Sequence, residues 1–240
     1  MRAIFLADAH LRHSDDANYR LLLHFLDEQR GRTDLLCILG DLFDFRVGLP
    51  SLEFPEQEAV LDALATLSRS GTRLVYLEGN HDFHLGAAFA GRIGCELYRG
   101  PVTLEVDGMR LYLCHGDLVN RADWRYRLLY LLLRNPVTPL AAGLVPAGVL
   151  HRIRSSLQRS SQRRYRHDRV RWDYTAIIRS FAATIRAGGG DALVLGHFHQ
   201  PLLEQRDGFT LLSLGDWIEH FSYGQLENGS FSLSSYASSR

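Results

Sequence analysis

Residues 73–82 read RLVYLEGNHD, and this stretch decides how the rest of the chain is organised. Its first half, Leu74-Val75-Tyr76-Leu77, is an unbroken apolar run of the kind that forms a strand buried on both faces. Its second half ends in Gly79-Asn80-His81-Asp82, small or polar residues that add little to a core. Two readings are open. One is a turn, in which Gly79-Asn80 tolerates a left-handed backbone and Asp82 caps a following helix. The other is a set of side chains gathered around metal. The same form recurs in AIFLADAH (3–10), DLLCILGDLFD (34–44), RLYLCHGD (110–117) and DALVLGHFH (191–199).

Helical periodicity fills the gaps between the first three runs. DANYRLLLHFLDEQR (16–30) places apolar residues at 19, 22, 23 and 26, and FPEQEAVLDALATLSRSG (54–71) starts with Pro55 and acids and stops at Gly71. VTLEVDGMRLYLCHG (102–116) alternates about Asp107-Gly108 and predicts a β-hairpin. Residues 209–236 read as short strands and turns. The expected class is α/β, with sheets covered by helices. Such folds place their chemistry in loops at the carboxyl ends of strands, where the polar residues fall.

A chain of 240 residues, 46% hydrophobic and 22% charged, holds one domain with a sizeable core. The net charge is zero, so no whole-molecule field argues for nucleic-acid or membrane binding. Cys37, Cys95 and Cys114 lie far apart and point to a reducing compartment without a disulfide framework. The opening MRAIFLADAHLRHSDD reads as a first strand rather than a signal peptide. All 27 basic residues are arginine. That bias is compositional, although clustered arginines suit phosphate.

Residues 118–189 break the rhythm and are expected to form a helical insert within a single domain spanning 1–240. LLYLLLRNPVTPLAAGLVPAGVL (128–150) is very apolar, but Arg134, Asn135 and three prolines argue against a transmembrane helix. HRIRSSLQRSSQRRYRHDRVRW (151–172) follows with eight arginines and one acid. The plain reading is a cap packed on the body with its arginines solvated. The sharper reading is a lid that takes acyl chains with its apolar half and phosphate with its basic half, or rests on an anionic membrane surface.

Collected together, the strand ends supply Asp8, His10, Asp41, Asn80, His115, His197 and His199, with Asp44 and His81 beside them. Mixed oxygen and imidazole donors suit two divalent ions such as Mn²⁺, Fe²⁺ or Zn²⁺. Strand alternation would place Asp8 and His10 on one side, and His197 and His199 likewise. A single His or Gly-Asp of this kind is more often a core hydrogen bond or a turn. Five in order, each after its own strand, are another matter.

The pattern D-x-H, G-D-x-x-D, G-N-H-D, H-G and G-H-x-H resembles that of the calcineurin-like metallophosphoesterases, over about residues 1–117 and 190–220. The resemblance implies a four-layer α/β/β/α sandwich with a dimetal centre. It implies that Asp8, His10 and His199 hold one metal, that Asn80, His115 and His197 hold the other, and that Asp41 bridges them. Asp44 would act from outside the ligand set. His81 would face the substrate with Asp82 orienting its ring. A hydroxide between the cations would attack phosphorus, and His81 would stabilise developing charge or protonate the leaving group.

In length, in AIFLADAHL, ILGDLFDF, GNHDFHLG and LCHGD, and in the position of the insert, the chain is similar to the UDP-2,3-diacylglucosamine hydrolase branch. That likeness implies Mn²⁺, attack at the α-phosphorus, and release of UMP and 2,3-diacylglucosamine 1-phosphate in lipid A synthesis. It implies a cytoplasmic enzyme, peripheral at the inner membrane of a Gram-negative bacterium; the basic run with few stacking residues beside it argues against nucleic acid, and no obligate protein partner is inferred. Asn80, His81 and His197 would touch substrate. Asp123 matches a substrate-contacting aspartate by its spacing from His115, and Ser161 a serine of the insert. His81 stands where the best-known members of the branch carry Arg, and is the general phosphoesterase residue. This leaves another phosphodiester, nucleotide or pyrophosphate open as substrate. A non-catalytic scaffold of the fold usually loses ligands, and here all seven are present.

Overall fold

The computed structural model describes residues 1–48, 54–139 and 171–236, together with 145, 148, 149 and 152. The chain runs through β1 (Arg2–Leu6), α1 (Ala17–Glu28), β2 (Leu35–Ile38), β3 (Arg46–Val47), a 3₁₀ turn leading into α2 (Glu58–Arg69), β4 (Arg73–Leu77), β5 (Asp82–Phe83), α3 (Gly86–Ile93) and β6 (Cys95–Tyr98). Next come β7 (Val102–Val106), β8 (Met109–Cys114), α4 (Trp124–Leu133) and α5 (Tyr174–Ala187). Five strands close the fold: β9 (Ala192–Leu195), β10 (Pro201–Arg206), β11 (Phe209–Leu214), β12 (Ser222–Glu227) and β13 (Ser230–Ser235).

One sheet has six strands in the order β13-β12-β1-β2-β4-β6, and the other five in the order β10-β11-β9-β8-β7. Strands β1, β2, β4 and β6 are parallel, as are β8, β9 and β11. Alternation sorts their side chains. Phe5, Cys37, Val75 and Leu77 point between the sheets to meet Leu113, Val194 and Leu212. Ile4, Leu6, Leu36 and Tyr76 face the other way, onto Leu22 and Phe25 of α1 and Leu64 of α2. On the far side Leu193, Leu195 and Leu211 pack against Ile178 and Ala182 of α5. The layers are α/β/β/α. Each fully buried large aliphatic contributes about 1.5–3 kcal/mol, against about 0–1 kcal/mol for a surface ion pair. Apolar packing therefore fixes the strand ends relative to one another.

The 102–116 hairpin forms as its pattern predicts, with Asp107 and Gly108 both left-handed at φ 50° and 78°. The edge strand β6 has no clear signal in CELY and owes its state to pairing with β4. Helix α5 lies inside the stretch expected as an insert, yet it forms the outermost layer of the body. The insert therefore ends before Tyr174, because the apolar face of YTAIIRSFAATIRA is spent on the second sheet.

Helix α4 is unlike the others. None of its residues is buried, and Trp124, Leu128, Leu131 and Leu132 are exposed, Leu131 by 66%. It is capped by Asp123 and tied to the body by Tyr126, Leu133 and Arg134. Asp123 Oδ1 accepts from Tyr126 N at 2.9 Å. Arg134 donates to Glu78 Oε2 at 3.0 Å and to the Arg99 carbonyl at 2.8 Å, and lies over the Tyr130 ring. No helix among the described residues is long and apolar enough to cross a membrane. Ser161, with Arg163, Arg164, Arg166 and Arg169, lies outside the described residues.

Candidate metal centre

Strand β1 ends at Leu6 and β9 at Leu195, so Asp8, His10, His197 and His199 are loop residues. Convergence by strand alternation is therefore corrected. Asp8, His10, Asp41, His197 and His199 take φ values of 55°, 44°, 54°, 71° and 50°, left-handed conformations that cost about 1–3 kcal/mol each for residues with a Cβ. The left-handed residues bend each loop, so that paired side chains aim at a common point. Hydrogen bonds between loops hold them there: Asp8 N to the Gly40 carbonyl (3.1 Å), His10 N to the Asp41 carbonyl (3.0 Å) and Gly196 N to the His115 carbonyl (2.9 Å).

The seven expected donors come together in two adjoining groups. His10 Nε2 and His199 Nε2 are 3.2 Å apart, with Asp8 Oδ1 at 3.9 Å and 3.6 Å from them. Asn80 Oδ1 is 2.9 Å from both His115 Nε2 and His197 Nδ1. Asp41 Oδ2 stands between the groups, 3.7 Å from His10 Nε2 and 3.5 Å from His115 Nε2. Asp8, His10 and His199 lie close enough to share one ion, as do Asp8, Asp41 and His115.

Asp8 tests whether these residues fit a metal. It is fully buried. Its Oδ2 accepts from His197 N at 2.6 Å, but its Oδ1 has no hydrogen-bond partner. A buried polar atom left this way costs about 1–3 kcal/mol, more when charged. A divalent cation where Oδ1, His10 and His199 converge removes that deficit, so the residues fit. Burial, then the imidazoles of His81 and His115 respectively, hold His10 and His197 well below ordinary imidazole values. That is the neutral state a ligand needs. Burial raises Asp41, with His115 pulling it back. Burial also lowers His115, but Asp41, Asp8 and Asp117 outweigh it and carry the ring up to about 9.

Asp82 does not orient His81. Its Oδ1 accepts from Asp41 N at 2.9 Å and Gly79 N at 2.8 Å, and its Oδ2 from Leu42 N at 2.8 Å and Tyr76 Oη at 2.5 Å. It ties two ligand loops together, and burial, followed by the Asp41 charge, lifts it to about 6. The Nδ1 of His81 instead meets the Asp44 carbonyl at 2.7 Å, while His81 N donates to Asp41 Oδ1 at 2.8 Å. The Asp44 carboxylate takes Arg12 Nη2 at 3.0 Å and stands 4.0 Å from His10 Nδ1, and with His10 and His81 it forms a third cluster close enough to share an ion. Gly79 is needed for room rather than for a left-handed turn. Its φ is not positive, but a Cβ there would overlap the Asp41 carboxylate.

Asp216 was not anticipated. It accepts from Ile218 N (2.8 Å), Glu219 N (2.6 Å) and His220 Nδ1 (2.6 Å), and its Oδ2 lies 3.9 Å from His199 Nδ1. Its signal was present in LLSLGD (211–216), a buried strand ending in Gly-Asp like the others. Asp123 is seen as the cap of α4 rather than among the clustered donors.

A family model described as calcineurin-like phosphoesterase matches residues 1–201. Among curated proteins, the UDP-2,3-diacylglucosamine hydrolase of Stenotrophomonas maltophilia (strain K279a) is 33% identical over 99% of this chain and 99% of its own length. The protein of the same name from Pseudomonas paraeruginosa (strain DSM 24068 / PA7) is 32% identical over 90% of this chain and 91% of its own. A solved archaeal phosphodiesterase superposes with a TM-score of 0.51 at 11% identity, covering 98% of this chain and 99% of its own, a likeness of fold alone.

Proposed function

Because this chain belongs to the calcineurin-like phosphoesterase family, and is a metal-dependent phosphoesterase, we propose that it hydrolyses the pyrophosphate of UDP-2,3-diacylglucosamine. The products would be UMP and 2,3-diacylglucosamine 1-phosphate, with attack at the α-phosphorus. The observation that carries this reading is the coexistence of two donor groups around Asp41 with a neighbouring helix on which Trp124, Leu128, Leu131 and Leu132 are exposed. A phosphoester centre alone needs no such helix. An acylated substrate does.

Asp8, His10 and His199 would hold one ion and Asn80, His115 and His197 the other, with Asp41 shared. Mn²⁺ is the proposed occupant, and Fe²⁺ or Zn²⁺ suits the same donors. Such ions acidify water and neutralise phosphoryl oxygens. The chain's own residues set the geometry. Asp82 fixes the Gly40–Leu42 and Gly79 loops against each other, so Asp41 and Asn80 keep their spacing. With Nδ1 of His81 at the Asp44 carbonyl, Nε2 is the ring atom that would meet phosphate and give a proton to the departing sugar phosphate. The segment 118–172 would act as a lid, with Asp123 and Ser161 as substrate contacts, on the cytoplasmic face of the inner membrane of a Gram-negative cell. Leu128, Leu131 and Leu132 would meet acyl chains or lipid.

The test is UMP release from UDP-2,3-diacylglucosamine by the purified protein with Mn²⁺, with UDP-glucosamine and bis(p-nitrophenyl) phosphate run in parallel. Efficient UMP release is expected from the acylated compound and not from UDP-glucosamine, with bis(p-nitrophenyl) phosphate hydrolysed as a generic phosphodiester. Hydrolysis of bis(p-nitrophenyl) phosphate without UMP release would overturn the substrate and direct attention to His81, leaving another phosphodiester or nucleotide as the natural one.

A further inference from the structure

Helix α4 has a second face. Arg127, Tyr130 and Arg134, spaced three and four residues apart, fall on one side of it and line a pocket of about 450 Å³ beside His115. Arg99 and Arg121 line the same pocket, with Tyr112 and Phe181 on the opposing body. The pocket opens at the carboxyl ends of β4, β6 and β8, where an α/β fold binds its ligands.

Its charge is unbalanced. Glu78 is neutralised by Arg134 at 3.0 Å, which leaves Asp117, hydrogen-bonded by the neutral Tyr126 hydroxyl at 2.7 Å, as the one lining carboxylate against three arginines. Arg99, Arg121 and Arg127 have no ion-pair partner among the described residues, although the surface arginines Arg73, Arg92 and Arg179 each find a carboxylate within 2.5–3.3 Å. Three guanidinium groups around one cavity repel one another, and an anion with several oxygens relieves that repulsion with bidentate hydrogen bonds. The aromatic walls suit a flat ring. The volume lies within the range of small-molecule sites.

We propose that this pocket binds the nucleoside phosphate half of the substrate, with Arg99, Arg121 and Arg127 on phosphate oxygens and Tyr112, Tyr130 and Phe181 against the base. This rests on the reading that the substrate carries a nucleotide. It divides the work of α4 between its residues: Arg127 and Tyr130 recognise the nucleotide, and the exposed Leu128, Leu131 and Leu132 meet the acylated part. His115 is the wall shared by the pocket and the donor cluster, so one substrate can span both.

UMP is the probe. Its inhibition of bis(p-nitrophenyl) phosphate hydrolysis is measured on metal-loaded protein for the natural sequence, Arg121→Ala and Arg127→Ala, with inorganic phosphate as comparator and metal content and Tm confirming each variant. Loss of one charge-assisted contact is expected to raise the UMP concentration for half inhibition about tenfold or more, with phosphate inhibition unchanged. Arg→Lys should restore part of it, and Arg179→Ala, whose guanidinium pairs with Glu204 and does not line the pocket, should change nothing. Equal inhibition by UMP and phosphate, or UMP inhibition untouched by both alanine variants, would overturn the site. If UMP inhibition falls as expected but UDP-2,3-diacylglucosamine is not cleaved, the pocket stands and the lipid substrate falls. If that substrate is cleaved with an unchanged KM in both variants, the pocket falls and the lipid substrate stands.

Discussion

The ligand loops and helix α4 are built on opposite rules. In the loops polar groups are tied down: Asp82 alone accepts four hydrogen bonds, and five donors are held in left-handed conformations by contacts between loops. In α4 no residue is buried, and the helix is tied to the body through a few side-chain contacts, at Tyr126, Leu133 and Arg134. The difference separates two tasks. Backbone geometry that must not drift holds the reacting centre, while a surface the core does not need is left to choose the substrate. Substitutions in the first region should therefore damage turnover of every phosphoester, and substitutions in the second should damage only some.

Four measurements can break or sharpen that contrast. The largest effect is expected at the centre of the cluster. Asp41→Asn should lower kcat on the order of 10³-fold for every substrate and reduce bound metal below two ions per chain by elemental analysis, with the fold intact by circular dichroism. Retained turnover would remove the cluster from the chemistry. Next, Asp82→Ala strands the backbone N–H groups of Asp41 and Leu42 and the Tyr76 hydroxyl, at a cost of roughly 3 kcal/mol or more. It should lower Tm by roughly 10 °C in a thermal melt. A Tm within one or two degrees of the natural protein would mean that the loops are held by other means.

On α4 the scale drops. Leu131→Asp and Leu132→Asp should each raise KM for the acylated substrate about tenfold and change stability by no more than about 0.5 kcal/mol. Steady-state kinetics on acylated and deacylated substrates checks this, since equal losses on both would show that α4 does not discriminate. The smallest effect concerns protons. His115 is held at about 9 when folded, above its ordinary value of about 6.5. Its stabilising contribution is complete below pH 6.5 and is lost as pH rises through 9. The Tm of chelator-treated protein should therefore fall by a few degrees between pH 7 and 10, and Mn²⁺ should abolish the fall by taking the proton's place. A flat melting profile without metal would show that His115 is not charged.

Much of the site was legible because residue type and strand position coincide. Asp8, Asp41, Asn80, His115 and His197 each follow an apolar run, where a polar side chain would be unwelcome unless something binds it. The roles within the site were less legible. Asp82 neighbours His81 in sequence, but its carboxylate reaches Asp41 and Leu42, about forty residues away. Gly79 looked like a turn residue and is instead a gap left for the Asp41 carboxylate. Asp216 carried the same strand-Gly-Asp signal as Asp41, but its relation to His199 depends on β11 pairing beside β9.

By itself the sequence determined the layered α/β class, the order of the donors and the apolar character of α4. These follow from local periodicity and from which side chains tolerate burial, and both are properties of short segments. Only the tertiary structure decided how the donors converge, which carboxylate braces which loop, and that α4 ties Arg134 to the body while Leu128, Leu131 and Leu132 stay exposed. Those outcomes depend on hydrogen bonds and packing between segments distant in the chain, and no window of the sequence contains both partners.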